Sequence, residues 1–447
     1  MLYAIATNGS LLFTDNATNI SADVFSLICR EMVADEDPFE VPSLVLCLGK
    51  VCSAWYNLLG WDAFLWTHID PSQSLLGGDG LENVHRRLRN QFEVHKRHSR
   101  GVPLHLMCGE EDLPVLEPYL RELADRWASM IFTCKYPQQS FPSEPSNSDA
   151  ARRLSFPALR EFTLEADDVT LGSNFDILKC GPAVQRLEAH LVGGATADGA
   201  PMRLVLPVST VLTSLFLRVL GRVELHSRFY HGALEQCSAT LETLEIWTTT
   251  AVGGAELIRL PRLRKLYVHG KACSLLEVLE MRSLVTLWVD ELLEEDKGLE
   301  RLSDAFRFDR IGQRTLRHLQ LSEAHGHDSL GFRQQILSVV LHASNVENLA
   351  LAYTAREGYR RTCLWFLVEL SGVRGPTQMP KLRRLTLALG VSKSDVNVVN
   401  SLHLFLHGRD RADLHVITDS YGFPNKHLCT YTRLEDRGDE GCFLGET

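Results

Sequence analysis

The residues of this chain that could do chemistry are few, and their spacing limits what that chemistry is. His427-x-Cys429 offers two metal ligands, but no second pair lies at the spacing a tetrahedral site needs. Gly77-Gly-Asp-Gly has the glycines of a phosphate loop without the strand-then-helix setting such loops require. No Walker A sequence, dinucleotide glycine fingerprint, His-Glu-x-x-His or Gly-x-Ser-x-Gly occurs. The eleven cysteines are scattered, and none carries the marks of an activated thiolate. No catalytic residue, metal site or cofactor is therefore expected, and the chain does not read as an enzyme. One basic run, Arg86, Arg87, Arg89, Lys96, Arg97 and Arg100 against Glu93, could bind nucleic acid or serve as a nuclear address. Such runs are more often the solvated face of a helix. With Lys+Arg at 46, Asp+Glu at 56 and a net charge of −10, nucleic acid is not an expected partner.

A second set of residues has the chemistry of recognition. Phe216, Arg218, Trp247, Tyr267, His269, Trp288 and Asp290 fall at matched places in a repeated phrase. The phrase is apolar, two variable residues, apolar, one variable residue, apolar. Its nine copies are Leu159/Phe162/Leu164, Val184/Leu187/Ala189, Leu212/Leu215/Leu217, Leu241/Leu244/Ile246, Leu263/Leu266/Val268, Leu284/Leu287/Val289, Leu316/Leu319/Leu321, Val346/Leu349/Leu351 and Leu382/Leu385/Leu387. The last two apolar positions alternate with polar ones, which is the period of a strand with one buried face. One such strand cannot bury its face alone, but stacked copies can.

The expected fold is α/β: a leucine-rich-repeat-like solenoid with a parallel sheet on the concave face and helices on the convex face. Helix-like stretches at Gly298–Phe308, Phe332–His342 and Val396–Leu406 suit the convex side. The Asn or Cys that leucine-rich repeats place three residues after the phrase is missing. The residue between the last two apolar positions, and the one just after, should face the concave side. There the seven residues would form an aromatic ridge with charges beside it, the composition of an interface hot spot. The plainer reading is that strands favour aromatics.

At 447 residues the chain should form more than one structural unit. Residues 1–19 read as a flexible N-terminus, 20–70 as a small all-α domain, and 71–150 as linker helices with degenerate first repeats. Residues 151–433 hold the repeats, and 434–447 read as a flexible acidic tail. No apolar run approaches the ~18–20 residues that span a bilayer. No signal peptide is apparent, and an odd number of scattered cysteines suggests a reducing compartment, cytoplasm or nucleus.

Residues 20–69 carry the functional clue. Ser21 is placed to cap a helix, with Asp23 in its first turn. Val24, Leu27, Ile28 and Met32 make one apolar stripe. After a turn-rich insert at Asp35–Pro42, a second helix carries Leu44, Leu48, Val51, Cys52, Trp55 and Leu58/Leu59 at spacings of three and four. Leu65-Trp66 closes the unit. A domain this small buries its core poorly, so a partner that covers the excess apolar surface is a natural expectation.

At these residues the chain resembles an F-box. Ile20, Ala22, Asp23, Val24 and Ile28 follow the opening of the family pattern, Val51-Cys52-Ser53-Ala54-Trp55 its Val-Cys-x-x-Trp, and Leu65-Trp66 its Leu-Trp end. Ser21 stands where proline is usual, and the insert at 33–42 is longer than typical. With the repeats behind it, the chain looks like the fungal group of F-box proteins with irregular leucine-rich repeats. The resemblance implies a substrate-recognition subunit of a Skp–cullin–F-box ubiquitin ligase. Val24, Phe25, Leu27, Ile28, Val51, Cys52, Trp55, Leu58, Leu65 and Trp66 would dock on a Skp-type linker protein, and through it on a cullin–RING ligase. The repeats would hold a protein substrate. The alternative is a non-catalytic repeat scaffold without ligase assembly, in which Trp55 and Trp66 are core residues of a helical cap.

Overall fold

The computed structural model describes residues 22–34, 36–51, 53–60, 62–75, 81–134, 154–169, 180–193, 206, 211–221, 228–249, 257–290, 297–322, 330–352, 368, 379–388, 400, 415–419, 428–432 and 444–446. The chain is mixed α/β with a large, mainly parallel sheet, and it divides into two units. Unit 1 is Met1–Cys134 with Asp149–Thr163, and unit 2 is Lys135–Ser148 with Leu164–Thr447.

Unit 1 opens with three helices, α1 (Ala22–Val33), α2 (Val41–Gly49) and α3 (Ser53–Leu59). The single helix expected over Leu44–Leu59 is two. Pro42 starts α2 early, because a proline in the first turn lacks only an N–H that has no helical partner anyway. α2 ends at Gly49, and the Lys50 N–H turns back to the Cys47 carbonyl at 3.2 Å. The core holds Phe25, Cys29, Val41, Val45, Leu59, Leu65 and Trp66, with Leu48, Trp55, Leu58 and Val94 packed against it.

A parallel β-α-β-α-β run follows in the same unit. Its strands β1 (His68–Ile69), β2 (Leu104–Gly109) and β3 (Trp127–Cys134) lie in that order. The connections are α4 (Ser72–Leu75) with α5 (Leu81–His98), then α6 (Leu113–Glu122). The helix expected to reach residue 128 stops at Glu122, and Trp127 already belongs to a strand. Two buried tryptophans use one device. Trp66 Nε1 donates to the Leu59 carbonyl at 2.9 Å, and Trp127 Nε1 donates to the Leu120 carbonyl at 3.1 Å. Each indole thus satisfies a carbonyl near the end of the helix seven residues upstream, which would otherwise lack a helical donor.

β4 (Glu161–Val169) begins in unit 1 and ends in unit 2. Unit 2 then contains β5 (Arg186–Gly193), β6 (Ser214–Gly221), α7 (Arg228–Cys237), β7 (Thr243–Thr248), β8 (Ile258–Arg259), β9 (Lys265–Gly270), β10 (Leu279–Glu280) and β11 (Thr286–Asp290). After them come α8 (Gly298–Arg307), β12 (His318–Ser322), α9 (Leu330–His342), β13 (Asn348–Ala352), β14 (Arg384–Ala388), β15 (His415–Asp419), β16 (Leu428–Thr432) and β17 (Leu444–Glu446). The main sheet runs β5-β6-β7-β9-β11-β12-β13-β14-β15 in parallel, and β16 and β17 add antiparallel strands. β8 and β10 form a separate parallel pair. Part of the expected tail, Leu444–Glu446, is thus a paired strand. The loop expected at 137–149, His427 and most of the helix expected at 396–406 lie outside the described residues.

The repeated phrase sets the register. Leu215, Leu244, Leu266, Leu287, Leu319, Leu349 and Leu385 align across consecutive strands, and so do Leu217, Ile246, Val268, Val289, Leu321, Leu351 and Leu387. Leu215 through Leu385 in the first row are all buried. Because a one-residue slip would turn every leucine outward, this alignment pins the pairing.

A backbone ladder reinforces it. The carbonyl just after the first apolar residue accepts two N–H groups from the next copy, at 2.8–3.0 Å. Gln185, Thr213, Glu242, Arg264, Val285, Arg317 and Glu347 all do this. Main-chain donors thus satisfy the strand entries, with the Thr213 hydroxyl adding a third donor to the Gln185 carbonyl at 3.1 Å. β9 ends at Gly270, whose φ of 60° suits glycine, and a 3-10 turn (Lys271–Glu277) packs back on β7 and β9.

Candidate functional site

Two surfaces emerge, one in each unit. In unit 1 the two sides of α1 are both apolar. Phe25 and Cys29 face the core, while Val24, Leu27 and Ile28 face outward, with Leu27 59% exposed. The spacing of three and four that predicts one stripe holds for those three, but the stripe points to solvent. Leu44, Leu46, Val51, Tyr56 and Phe64 are exposed as well, so eight of the fourteen exposed large apolar residues described in the whole chain fall within residues 24–64. That concentration exceeds the scatter expected of a surface at rest.

The ten predicted linker contacts divide accordingly. Val24, Leu27, Ile28 and Val51 are exposed, and Trp55 and Leu58 are half-buried. Phe25, Leu65 and Trp66 must be corrected: all three are buried in the core of the unit rather than presented on its surface. Trp55 packs its ring on Phe25 at 4.9 Å, so most of it also serves the core. Cys52 lies outside the described residues.

Sequence reasoning missed what orients α1. Asp62 is buried and caps the 3-10 turn Ala63–Trp66 through the Phe64 N–H at 3.2 Å. It takes Arg30 Nε at 2.7 Å, Arg30 Nη2 at 2.9 Å and the Ser26 hydroxyl. Burial alone would raise the Asp62 carboxyl, but the hydrogen bonds from Arg30 and Ser26 outweigh it and hold the group below the usual carboxylate range. An Asp immediately before Ala-Phe-Leu-Trp is a legible capping signal; its partner 32 residues upstream is not. The Arg30 guanidinium also lies 5.1 Å from the Phe64 ring centre. Both line a cavity of about 310 Å³ with Val41, Leu65 and His68.

In unit 2 the seven predicted recognition residues lie together on the polar face of the sheet, all partly exposed. They do not form one aromatic ridge. Register places Phe216, Glu245, Tyr267 and Trp288 in one row and Arg218, Trp247, His269 and Asp290 in the next. Phe216, Tyr267 and Trp288 stand between the last two apolar positions, whereas Trp247 stands just after, two residues further along its strand. Tyr267 meets Trp288 edge-on at 5.7 Å. Trp247 and Trp288 are joined through His269, whose ring lies 5.9 Å from each.

His269 sits between two carboxylates, with Nδ1 3.4 Å from Asp290 and Nε2 3.3 Å from Glu245. The second approach lies off the direction of a hydrogen bond and acts as a charge contact. Burial would lower the imidazole, but Asp290 and Glu245 outweigh it and push it up to about 9, so it is cationic at neutral pH. The sequence pattern does not single out Glu245, because it fills the slot that holds an aromatic residue on the neighbouring strands. Arg218 stacks on Trp247 with its Cζ 4.0 Å from the ring centre.

Among the described residues no cluster of three or more His, Cys, Asp or Glu could hold a metal ion, and no helix is long and apolar enough to cross a membrane. No protein-family model matches the sequence, and no curated protein matches it significantly.

Proposed function

We propose that the chain is a non-catalytic receptor subunit. On this reading unit 1 is an F-box-like module that docks on a Skp-type linker protein, and thereby on a cullin–RING ubiquitin ligase. The in-register strands of unit 2 are leucine-rich-repeat-like and hold a protein substrate. The observation that carries the reading is the outward apolar stripe of α1, Val24, Leu27 and Ile28, in a helical unit that already has a filled core behind it. A helical cap would turn that stripe inward, and an outward one is stabilised by a partner that removes it from water. The partly exposed Trp, Tyr, Phe and Arg of the sheet face supply the residue types that dominate protein–protein hot spots.

The test is to isolate the full chain under native conditions and identify what stays bound. A Skp-type linker together with a cullin supports the reading. A chain that binds other proteins and recruits neither, even when purified linker is added in excess, is a repeat scaffold instead.

A further inference from the structure

On strands β5 to β11, every charge in the two polar rows has a described partner except one. Glu188 approaches His190 at 2.8 Å and Arg186 at 3.6 Å, and Glu245 and Asp290 both face His269. Arg218 has no ion pair and no hydrogen bond among the described residues. Its Nε is cut off from solvent and unpaired. Its guanidinium is held flat on Trp247. A desolvated donor without an acceptor is destabilising and persists where something else gains from it. With Nε closed off, the end of the fork that carries the two terminal nitrogens is left for a ligand, and that end matches the two oxygens of a carboxylate.

We infer that Arg218 is the anchor of a peptide site and takes the side-chain carboxylate of an Asp or Glu in an extended segment. An apolar neighbour of that residue lies over Phe216 or the Tyr267–Trp288 pair. The inference rests on the sheet face being the substrate side, and it names the class of substrate. The surroundings select a single carboxylate over a polyanion. Glu188 and Glu245 occupy the positions diagonal to Arg218 on the two flanking strands, and Asp290 lies further along the same row. Both diagonal glutamates are turned toward histidines, so neither takes the guanidinium. They repel a dianionic phosphate more than a carboxylate, and a nucleic-acid backbone most of all.

The experiment uses the full-length chain and fluorescent 12-residue peptide pools, random except for Leu-Glu-Leu, Leu-phosphoserine-Leu or Leu-Gln-Leu at the centre, with a 12-nucleotide single strand as a fourth probe. The glutamate pool should bind roughly tenfold or more tightly than the glutamine pool, the range expected for a charge-assisted hydrogen bond. It should also bind more tightly than the phosphoserine pool. Arg218→Gln should erase the preference for glutamate over glutamine. Arg218→Lys, which keeps the charge without the fork, should reduce the preference and decides the matter if the first variant does not fold. Equal binding of the glutamate and glutamine pools overturns the inference. So does a preference unchanged in both variants, or tighter binding of the phosphoserine pool or the oligonucleotide. Failure of every peptide pool to bind overturns the substrate-side reading along with it. Linker docking by unit 1 is measured separately and does not depend on this result.

Discussion

Arg30 and Asp62 lie 32 residues apart and are joined by two parallel hydrogen bonds, Nε to Oδ2 at 2.7 Å and Nη2 to Oδ1 at 2.9 Å. The pair fixes the rotation of α1 against the turn that carries Leu65 and Trp66. That rotation decides which apolar side of α1 is buried and which is presented. Arg30 is half exposed while Asp62 is not, so losing the arginine strands a buried carboxylate.

Arg30→Ala should therefore destabilise unit 1 by about 1–3 kcal/mol, the range for losing a charge-assisted hydrogen bond and leaving its partner unsatisfied. The sign with pH is set by the lowered Asp62 carboxyl. Its stabilisation is complete above the unfolded carboxylate value of about 4 and is lost as pH falls through the lower folded value. Urea unfolding of wild type and variant between pH 7 and pH 3 checks both. A constant difference across that range would remove the pair from the account.

The His269 cluster predicts the opposite slope. Its folded pKa, about 9, lies above the unfolded 6.5. The stabilisation is complete below about pH 6.5 and is lost as pH rises through about 9, on the order of 3 kcal/mol at most, reduced by solvent screening at this partly exposed site. The difference in unfolding free energy between wild type and His269→Gln, followed from pH 6 to pH 10, should shrink over that window. A difference that grows with pH would mean that His269 is neutral between its carboxylates.

Strand register is tested by two substitutions on adjacent strands. Leu266 is fully buried, and Leu266→Ala should cost about 2–5 kcal/mol. Thr286 is partly exposed on the other face, and Thr286→Ala should change stability by no more than about 0.5 kcal/mol. Chemical unfolding of the two variants settles it, since equal losses would place both side chains on one face.

The sheet was legible because its signal is local and repeated. Leu244, Leu266 and Leu287 each mark the same place in a short phrase, and identical phrases pair in identical register. The connections were less legible. α7, β8, the 3-10 turn at Lys271–Glu277 and α8 fill equivalent places with different structures, because the chain between phrases only has to cover the leucine layer and return. Periodicity gives the face of a residue but not its height along the strand, so it does not separate the two rows of the polar face. In unit 1 the apolar spacing of Val24, Leu27 and Ile28 was visible, yet a stripe looks the same whether it faces a core or a partner. Phe25 and Trp66 fill the core instead, and the long-range Arg30–Asp62 pair that decides the matter leaves no local trace.

Direct titration of a purified Skp-type linker against the full chain is the measurement closest to the central claim, with wild type compared to Leu27→Asp and to the double variant Leu27→Asp/Ile28→Asp. Both positions are exposed, so the variants should unfold within a few tenths of a kcal/mol of wild type. Linker affinity should fall by at least about 2 kcal/mol, roughly thirtyfold, as expected when a charge is placed in the apolar centre of an interface. Undiminished linker binding by the folded double variant, or no linker binding by the wild type, would contradict the account.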